Sequence, residues 1–468
     1  MHPVSTRRAL GAILVSLMFA PVASADDASV PKPVSAQAHE ILTRSVGFKT
    51  VIGEGQVPAY AAYLAGVLKD GGFAAEDITI TPYGETATLV ARYRGTDPAA
   101  KPILVGGHMD VVSAFREDWE RDPFTAVVEE GFVFGRGSSD NKFGISSMVT
   151  TLLWLKQEGF RPRRDIILAL TGDEETTQST TAVLAQQFKH AEMYLNSDGG
   201  GALLDEDGRP VFYGLQAAEK TYMDFEVVFT NPGGHSSRPS SHNAIYELAR
   251  GISRVAAFRF PARNSELTKA YFQAAGAMEK GETGAAMLRY AADPSDREAY
   301  ELLAAQPEHV GQLGTTCVAT MAKAGHAPNA LPQHAMANIN CRVFPGESIE
   351  DIQATLVRVI DDPAASVRVV EKPRPVTSDA SPLRDDVMKA VRRAIDLRVP
   401  GLRIVPSMSA GATDSLYFRN VGVPSYGVGG IFMSAKDSYA HGLNERVPLA
   451  TFDGALVQWR SLLRDLSR

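Results

Sequence analysis

The chain has 468 residues, 44% hydrophobic and 22% charged, enough for more than one packed core and too balanced for a collagen-like, disordered or coiled-coil protein. With 47 Lys plus Arg against 54 Asp plus Glu, the net charge of -7 argues against a nucleic-acid binder, because phosphate recognition needs an excess of cationic side chains. Two cysteines supply neither a disulfide framework nor a four-thiolate metal site, so metal chemistry here must rest on imidazole and carboxylate.

Arg7 and Arg8 precede an apolar run over residues 9–20 and then Ala23-Ser24-Ala25, the layout of a secretory signal peptide ending at residue 25. The run is too short to span a bilayer, and no later apolar segment approaches that length. The mature chain is expected outside the cytoplasm, periplasmic or secreted, with no membrane span. Thr6-Arg7-Arg8-Ala9-Leu10 also has some likeness to a twin-arginine export signal.

Residues 36–71 carry apolar side chains at helical spacing, and residues 78–80 and 88–91 read as short strands. Residues 101–108 form a continuous apolar strand ending in Gly-Gly-His. Residues 140–159 read as a helix with Asp140 at its cap and Gly159 as its stop; residues 165–171 read as a buried strand running into Gly-Asp-Glu-Glu. This alternation predicts an α/β sheet with helices on both faces and functional side chains at the carboxyl ends of its strands. A short strand at 193–195 leads to Asn-Ser-Asp-Gly-Gly.

The pattern changes near Gln216. A half-exposed strand (222–229), a helix (243–258), two strands (315–322 and 334–344) and a helix (348–360) predict a small α+β layer, interrupted by a polar helical insertion at 261–313. Residues after 361 return to helix and apolar strand, with 423–428 leading into a glycine-rich loop. The predicted organisation is a signal peptide (1–25), a catalytic domain in two parts (26–215 and 363–468) and an inserted domain (216–362).

His108 and Asp110 stand two apart at a strand end, so both side chains leave on one face, as a metal-binding imidazole with an orienting carboxylate requires. Taken alone, His108 reads as a hydrogen-bonded strand-end histidine, Asp140 as a helix cap, Glu174-Glu175 as an exposed acidic turn and His441 as a surface residue. Their order along the chain, with Asp198 between them, is more specific than any one.

On these motifs the chain resembles the dinuclear zinc aminoacylase and carboxypeptidase family, the group containing glutamate carboxypeptidase, acetylornithine deacetylase and secreted dipeptidases. The likeness runs from residue 36 to the end, and the 261–313 stretch is similar to the enlarged lid of the carboxypeptidase S and N-acyl amino acid hydrolase branch. The resemblance implies an aminopeptidase-like catalytic domain, a mixed sheet flanked by helices, with an inserted α+β lid that mediates homodimerisation. It implies two divalent ions, Zn2+ before Co2+ or Mn2+, with His108 and Asp198 on one, Glu175 and His441 on the other, and Asp140 between them. Asp110 would orient His108. Glu174 would be the general base for a shared water whose pKa the ions lower. Asp198 stands where many relatives carry a glutamate.

Gly233-Gly234-His235-Ser236-Ser237 is similar to the family segment whose histidine reaches a neighbouring subunit's site, which makes His235 a catalytic candidate. Asn329 and Arg342 resemble lid residues that hold the substrate carbonyl and terminal carboxylate; a guanidinium suits a carboxylate because two parallel hydrogen bonds form. Asn340 stands where many relatives have an aspartate before that arginine. Gly411 and Thr413, in Gly-Ala-Thr-Asp, resemble a segment near the substrate pocket. Cys317 and Cys341, on the two predicted lid strands, suit either a disulfide or two small buried residues.

The expected activity is an exported zinc metallopeptidase of carboxypeptidase or dipeptidase type, or alternatively an N-acyl amino acid amidohydrolase. Its partners would be a small peptide or N-acyl amino acid and a second copy of the chain, not a nucleic acid. A catalytically silent binding module would have little use for Glu174. A phosphoesterase would need cationic clamps that the neighbouring sequence lacks, and a serine hydrolase a Gly-x-Ser-x-Gly elbow.

Overall fold

The computed structural model describes residues 28–370 and 375–468, so the expected signal segment lies outside the described residues. Residues 36–71 form two helices rather than one, Lys32–Val46 and Val57–Asp70. Gly53 and Gly55, at φ 85° and 63°, turn the chain between them, and Pro58 falls in the first turn of the second helix, where its missing N–H is harmless.

Among the described residues ten strands form one mixed sheet. At its centre Ile103–His108 lies between Ile166–Thr171 and Met193–Asn196, all three parallel, with His108 level with Thr171 and Gly106 level with Asn196. Ser425–Gly427 continues the parallel run beside Met193–Asn196. The long strand Pro210–Glu219, unmarked by any alternation in the sequence, joins Ser425–Gly427 antiparallel and Ile404–Ser409 parallel. The three central parallel strands are apolar and buried on both faces, as covering helices demand. One such helix, Lys142–Gln157, is buried through residues 142–155, wedged between the sheet and the helices Lys32–Val46 and Phe452–Leu466.

The chain passes from Pro210–Glu219 through Lys220 directly into Thr221–Thr230, the third strand of a four-stranded antiparallel lid sheet. Lys220 is buried and donates to the Gly314 carbonyl at 2.6 Å. Helices Ala244–Ala257 and Ile349–Ile360 pack on this sheet, their apolar sides meeting Phe225, Phe229 and Ile339. In strands Thr316–Ala324 and His334–Val343, Cys317 and Cys341 are register partners and form a disulfide.

The insertion folds as four helices, Glu266–Gly276, Gly281–Ala292, Arg297–Ala304 and Pro307–Leu313, around a small core that includes Phe272, Met287, Tyr290 and Leu303. The first of them packs against Ile404–Ser409, and Arg403 and Gln312 add hydrogen bonds to Ala274 O and Met408 O. The insertion therefore braces the lid against the catalytic sheet.

Candidate active site

Three adjacent parallel strands end side by side, and each releases a candidate ligand at its carboxyl end. His108 closes the first, Glu174 and Glu175 follow Thr171 of the second, and Asp198 follows Asn196 of the third. The turn after Thr171 lets both glutamates face the strand ends. Asp173 shapes it, accepting hydrogen bonds from Ser179 N–H (2.8 Å) and Thr180 N–H (2.9 Å). Asp110 accepts from the Glu174 and Glu175 N–H groups at 3.1 and 3.0 Å. His108 Nδ1 lies 3.0 Å from the Asp110 carbonyl and 3.6 Å from its carboxylate. Asp110 thus locks the glutamate turn with its side chain and meets the imidazole first through its backbone.

Asp140 and His441 arrive on loops. The helix expected to start at Asp140 begins at Lys142, and Asn141 holds the cap position without a side-chain cap bond. The Asp140 carboxylate is drawn elsewhere, with His108 Nε2 at 2.9 Å on Oδ1 and His441 Nε2 at 3.2 Å on Oδ2. His441 also meets Glu175 Oε1 at 2.8 Å, and His108 Nε2 lies 3.8 Å from Asp198 Oδ2. His441, at φ 62°, holds a backbone conformation that non-glycine residues seldom adopt.

Among the described residues, three groups of side chains offer ligand atoms within 4.8 Å of one another: His108 with Asp140 and Asp198, Asp140 with Glu175 and His441, and His108 with Glu174 and Glu175. The first two share Asp140 and bring together the residues expected for each ion. Nitrogen and oxygen donors without sulfur suit divalent cations of the zinc, cobalt and manganese kind.

The electrostatics agree with a cation site. Burial opposes a charged His108, yet its contacts with Asp110 and Asp140 outweigh burial and raise its pKa. Hydrogen bonds that His441 donates to the Asp140 and Glu175 carboxylates push it up to about 10. Burial also opposes ionised Asp140, but the two imidazoles hold its carboxyl below the usual range. Glu174 and Asp198 are pushed up, by burial first and neighbouring carboxylates after it. So many acids crowded together need positive charge, which cations would supply.

Two cavities flank the cluster. One, of about 630 Å³, is lined by Glu174, Glu175 and His441 together with Tyr222, Arg342 and Gly411. Arg342 donates to the Ala410 carbonyl at 2.8 Å and lies over the Tyr222 ring, 4.7 Å from its centroid. Asn340 does not support it; Asn340 donates to Asp224 at 3.0 Å on the neighbouring strand. The other cavity, of about 740 Å³, opens beside Asp140 and Asp198 between Leu203, Phe212, Ile431 and Met433.

Three other candidates stand apart. Thr413 is buried behind the cavity wall, accepting from Asn196 at 2.9 Å and donating to Glu219, which also pairs with Arg419. Of the two roles the segment suggests, contact with substrate or support of the pocket, the structure gives Thr413 a supporting place. His235 and Asn329 sit together on the paired strands Gly234–His235 and Ala330–Leu331 and the adjoining loop, and line neither cavity. His235 is exposed, its Nδ1 accepting from Ser237 N–H at 3.1 Å.

Sequence reasoning passed over Glu445, Asp173 and Asn141. Asn141 accepts from Ser197 Oγ at 2.6 Å and so ties the Asp140 loop to the Asp198 loop. The only sequence signal for Glu445 is its place four residues beyond His441.

Residues 104–465 match the model of Peptidase family M20/M25/M40. The chain belongs to this family. A Dictyostelium discoideum relative, named probable carboxypeptidase S-like 2, is 27% identical over 403 residues, covering 81% of this chain and 75% of the relative. The human N-fatty-acyl-amino acid synthase/hydrolase PM20D1 is 26% identical over 376 residues, covering 77% of this chain and 73% of the relative. Among solved structures, the M20 family metallo-carboxypeptidase Sso-CP2 from Sulfolobus solfataricus superposes with a TM-score of 0.68 at 18% identity, covering 92% of this chain and 99% of that one. The M20 fold, a catalytic domain with a lid, is therefore present, and the protein is a metallohydrolase.

Proposed function

We propose that this M20 hydrolase uses two divalent ions, zinc foremost, to cleave an amide bond whose leaving half carries a free carboxylate. One observation carries the reading: the five expected ligand side chains and Glu174 converge between a cavity that contains Arg342 and a second walled in part by Leu203, Phe212, Ile431 and Met433. His108 and Asp198 would hold one ion, Glu175 and His441 the other, and Asp140 both. When bound, such ions polarise a carbonyl and acidify water. Glu174 takes the proton of the attacking water and passes it to the leaving nitrogen; Gln178 Nε2 steadies its Oε1 at 3.0 Å. Burial suits Glu174 to the second step, because it favours the protonated form. Arg342 would grip the substrate carboxylate.

The second cavity, with Leu203, Phe212, Ile431 and Met433 on its wall, favours an N-acyl amino acid over a dipeptide with a free amino terminus. Among the described residues lining it, the acids are Asp140 and Asp198, both assigned to metal, so no further carboxylate remains to pair with an ammonium group. The name of the human relative is in keeping with that choice. The test is turnover by metal-loaded protein of N-acyl amino acids, dipeptides, their carboxyl-blocked analogues and phosphate esters. Cleavage confined to free-carboxylate amides supports the reading, and equal turnover of blocked analogues removes Arg342 from it. No cleavage of any amide would return the chain to the silent-module alternative.

Two further proposals complete the picture. His235 would act in the site of a second copy, which requires a homodimer through the lid; in keeping with this, the lid edge strand Thr316–Ala324 exposes Val318 and Met321. Export is supported by the signal-like first 25 residues and by the Cys317–Cys341 disulfide, a bond that persists in oxidising compartments. Among the described residues no helix is long and apolar enough to cross a membrane. Amino-terminal sequencing of fractionated protein tests export.

A further inference from the structure

Glu445 is fully buried, and a buried carboxylate is stable only when its lone pairs are occupied. One short segment occupies them. Arg136 Nη1 and the Gly137 N–H donate to Oε2 at 2.6 and 3.0 Å. The Ser139 N–H, Ser139 Oγ and Asp140 N–H donate to Oε1 at 2.9, 2.8 and 3.0 Å. The Glu445 carbonyl accepts from the Gly135 N–H at 2.9 Å, and Arg136 Nη2 reaches back to the Gly442 carbonyl at 3.2 Å. Residues 135–140 and 441–445 are thereby fastened into one unit with Asp140 at one tip and His441 at the other. Just beyond, Arg446–Pro448 pairs with Phe132–Phe134 and anchors both segments.

His108 and Asp198 stand outside this unit, on strand ends that hold each other in register. Glu445 lines neither cavity, so it acts on no substrate directly. We infer that Glu445 is a positioning residue that sets the separation of Asp140 and His441, and through it the affinity of the ion assigned to Glu175 and His441. The inference rests on the two-ion reading above. Only a carboxylate serves: a glutamine of the same size offers one acceptor oxygen, and its NH2 would face N–H or O–H donors.

The test is titration of Zn2+ into chelator-stripped full-length protein by calorimetry, for the parent, Glu445→Gln and Ser139→Ala, with thermal unfolding of each stripped protein. For Glu445→Gln the second ion is expected to bind at least about tenfold more weakly and the first to weaken by clearly less, because Asp140 alone among the first ion's ligands belongs to the fastened unit. Ser139→Ala, which loses one of the bonds to Oε1, should weaken the same ion by less. Equal weakening of both ions, or no change in either, overturns the inference. If Glu445→Gln fails to fold, Ser139→Ala decides, and unchanged second-ion affinity there is the overturning result. A parent that binds only one ion defeats the two-ion reading itself; a parent that binds two, with Glu445→Gln binding both as tightly, defeats only the role of Glu445.

Discussion

At the scale of single residues, the proposed roles separate groups that hold charge from groups that move protons. Glu174→Gln keeps the size of the side chain and removes the base, so kcat should fall by about 10²- to 10⁴-fold while metal content is retained; retained turnover would remove Glu174 from the mechanism. Arg342→Ala should lower kcat/KM for free-carboxylate substrates by about tenfold or more, the worth of a charge-assisted hydrogen bond, and leave carboxyl-blocked analogues unaffected. Metal binding should depend on pH in a definite direction. His108 and His441 have raised pKa values in the metal-free protein, and only neutral imidazole is a ligand, so each ion must displace protons at pH 7. Affinity should therefore rise with pH, and calorimetry in buffers of different ionisation heat should register proton release. The five expected ligands were legible through the order of their motifs and the resemblance that order carries, since each alone reads as an ordinary strand end, cap, acidic turn or surface residue. Glu445 was not, because its side-chain donors lie 305 to 309 positions away and no local pattern marks an acceptor for distant N–H groups.

Among elements, the central parallel strands were readable as unbroken apolar runs, whereas Pro210–Glu219 was hidden because its burial follows from neighbours contributed by residues 404–427. The helical spacing of 36–71 concealed a break, since two successive amphipathic helices leave nearly the same periodic trace as one. The Gly-Gly-His end of the first central strand has a steric reason. A Cβ on Gly107 would come within 2.2 Å of Asn141 Oδ1 and 2.6 Å of Ser197 Oγ, the pair that joins the Asp140 and Asp198 loops. Gly107→Ala should therefore destabilise the fold by about 1–3 kcal/mol, measured by chemical denaturation, and weaken metal binding with it. An alanine tolerated without loss in either measurement would show that these loops yield.

Across the whole molecule, the placement of His235 away from both cavities of its own chain makes a sharp prediction for a mixed dimer. His235→Ala and Glu174→Gln homodimers should each be nearly inactive, yet co-refolded mixtures should recover activity, because one site of the heterodimer then carries both wild-type groups. No recovery, together with a monomer by light scattering, would end the proposal that the lid completes a neighbour's site. The passage from the mixed sheet into the lid sheet was legible in the change of pattern near Gln216, but not the bracing of the lid by 261–313, since which surface a polar helix covers depends on residues far along the chain. One detail of the sheet bears on the timing of biosynthesis. Ser425–Gly427 lies between Met193–Asn196 and Pro210–Glu219, so a central slot in the sheet stays open until these late residues have left the ribosome. His441 emerges later still, and a nascent chain released early would lack any means of completing its catalytic centre.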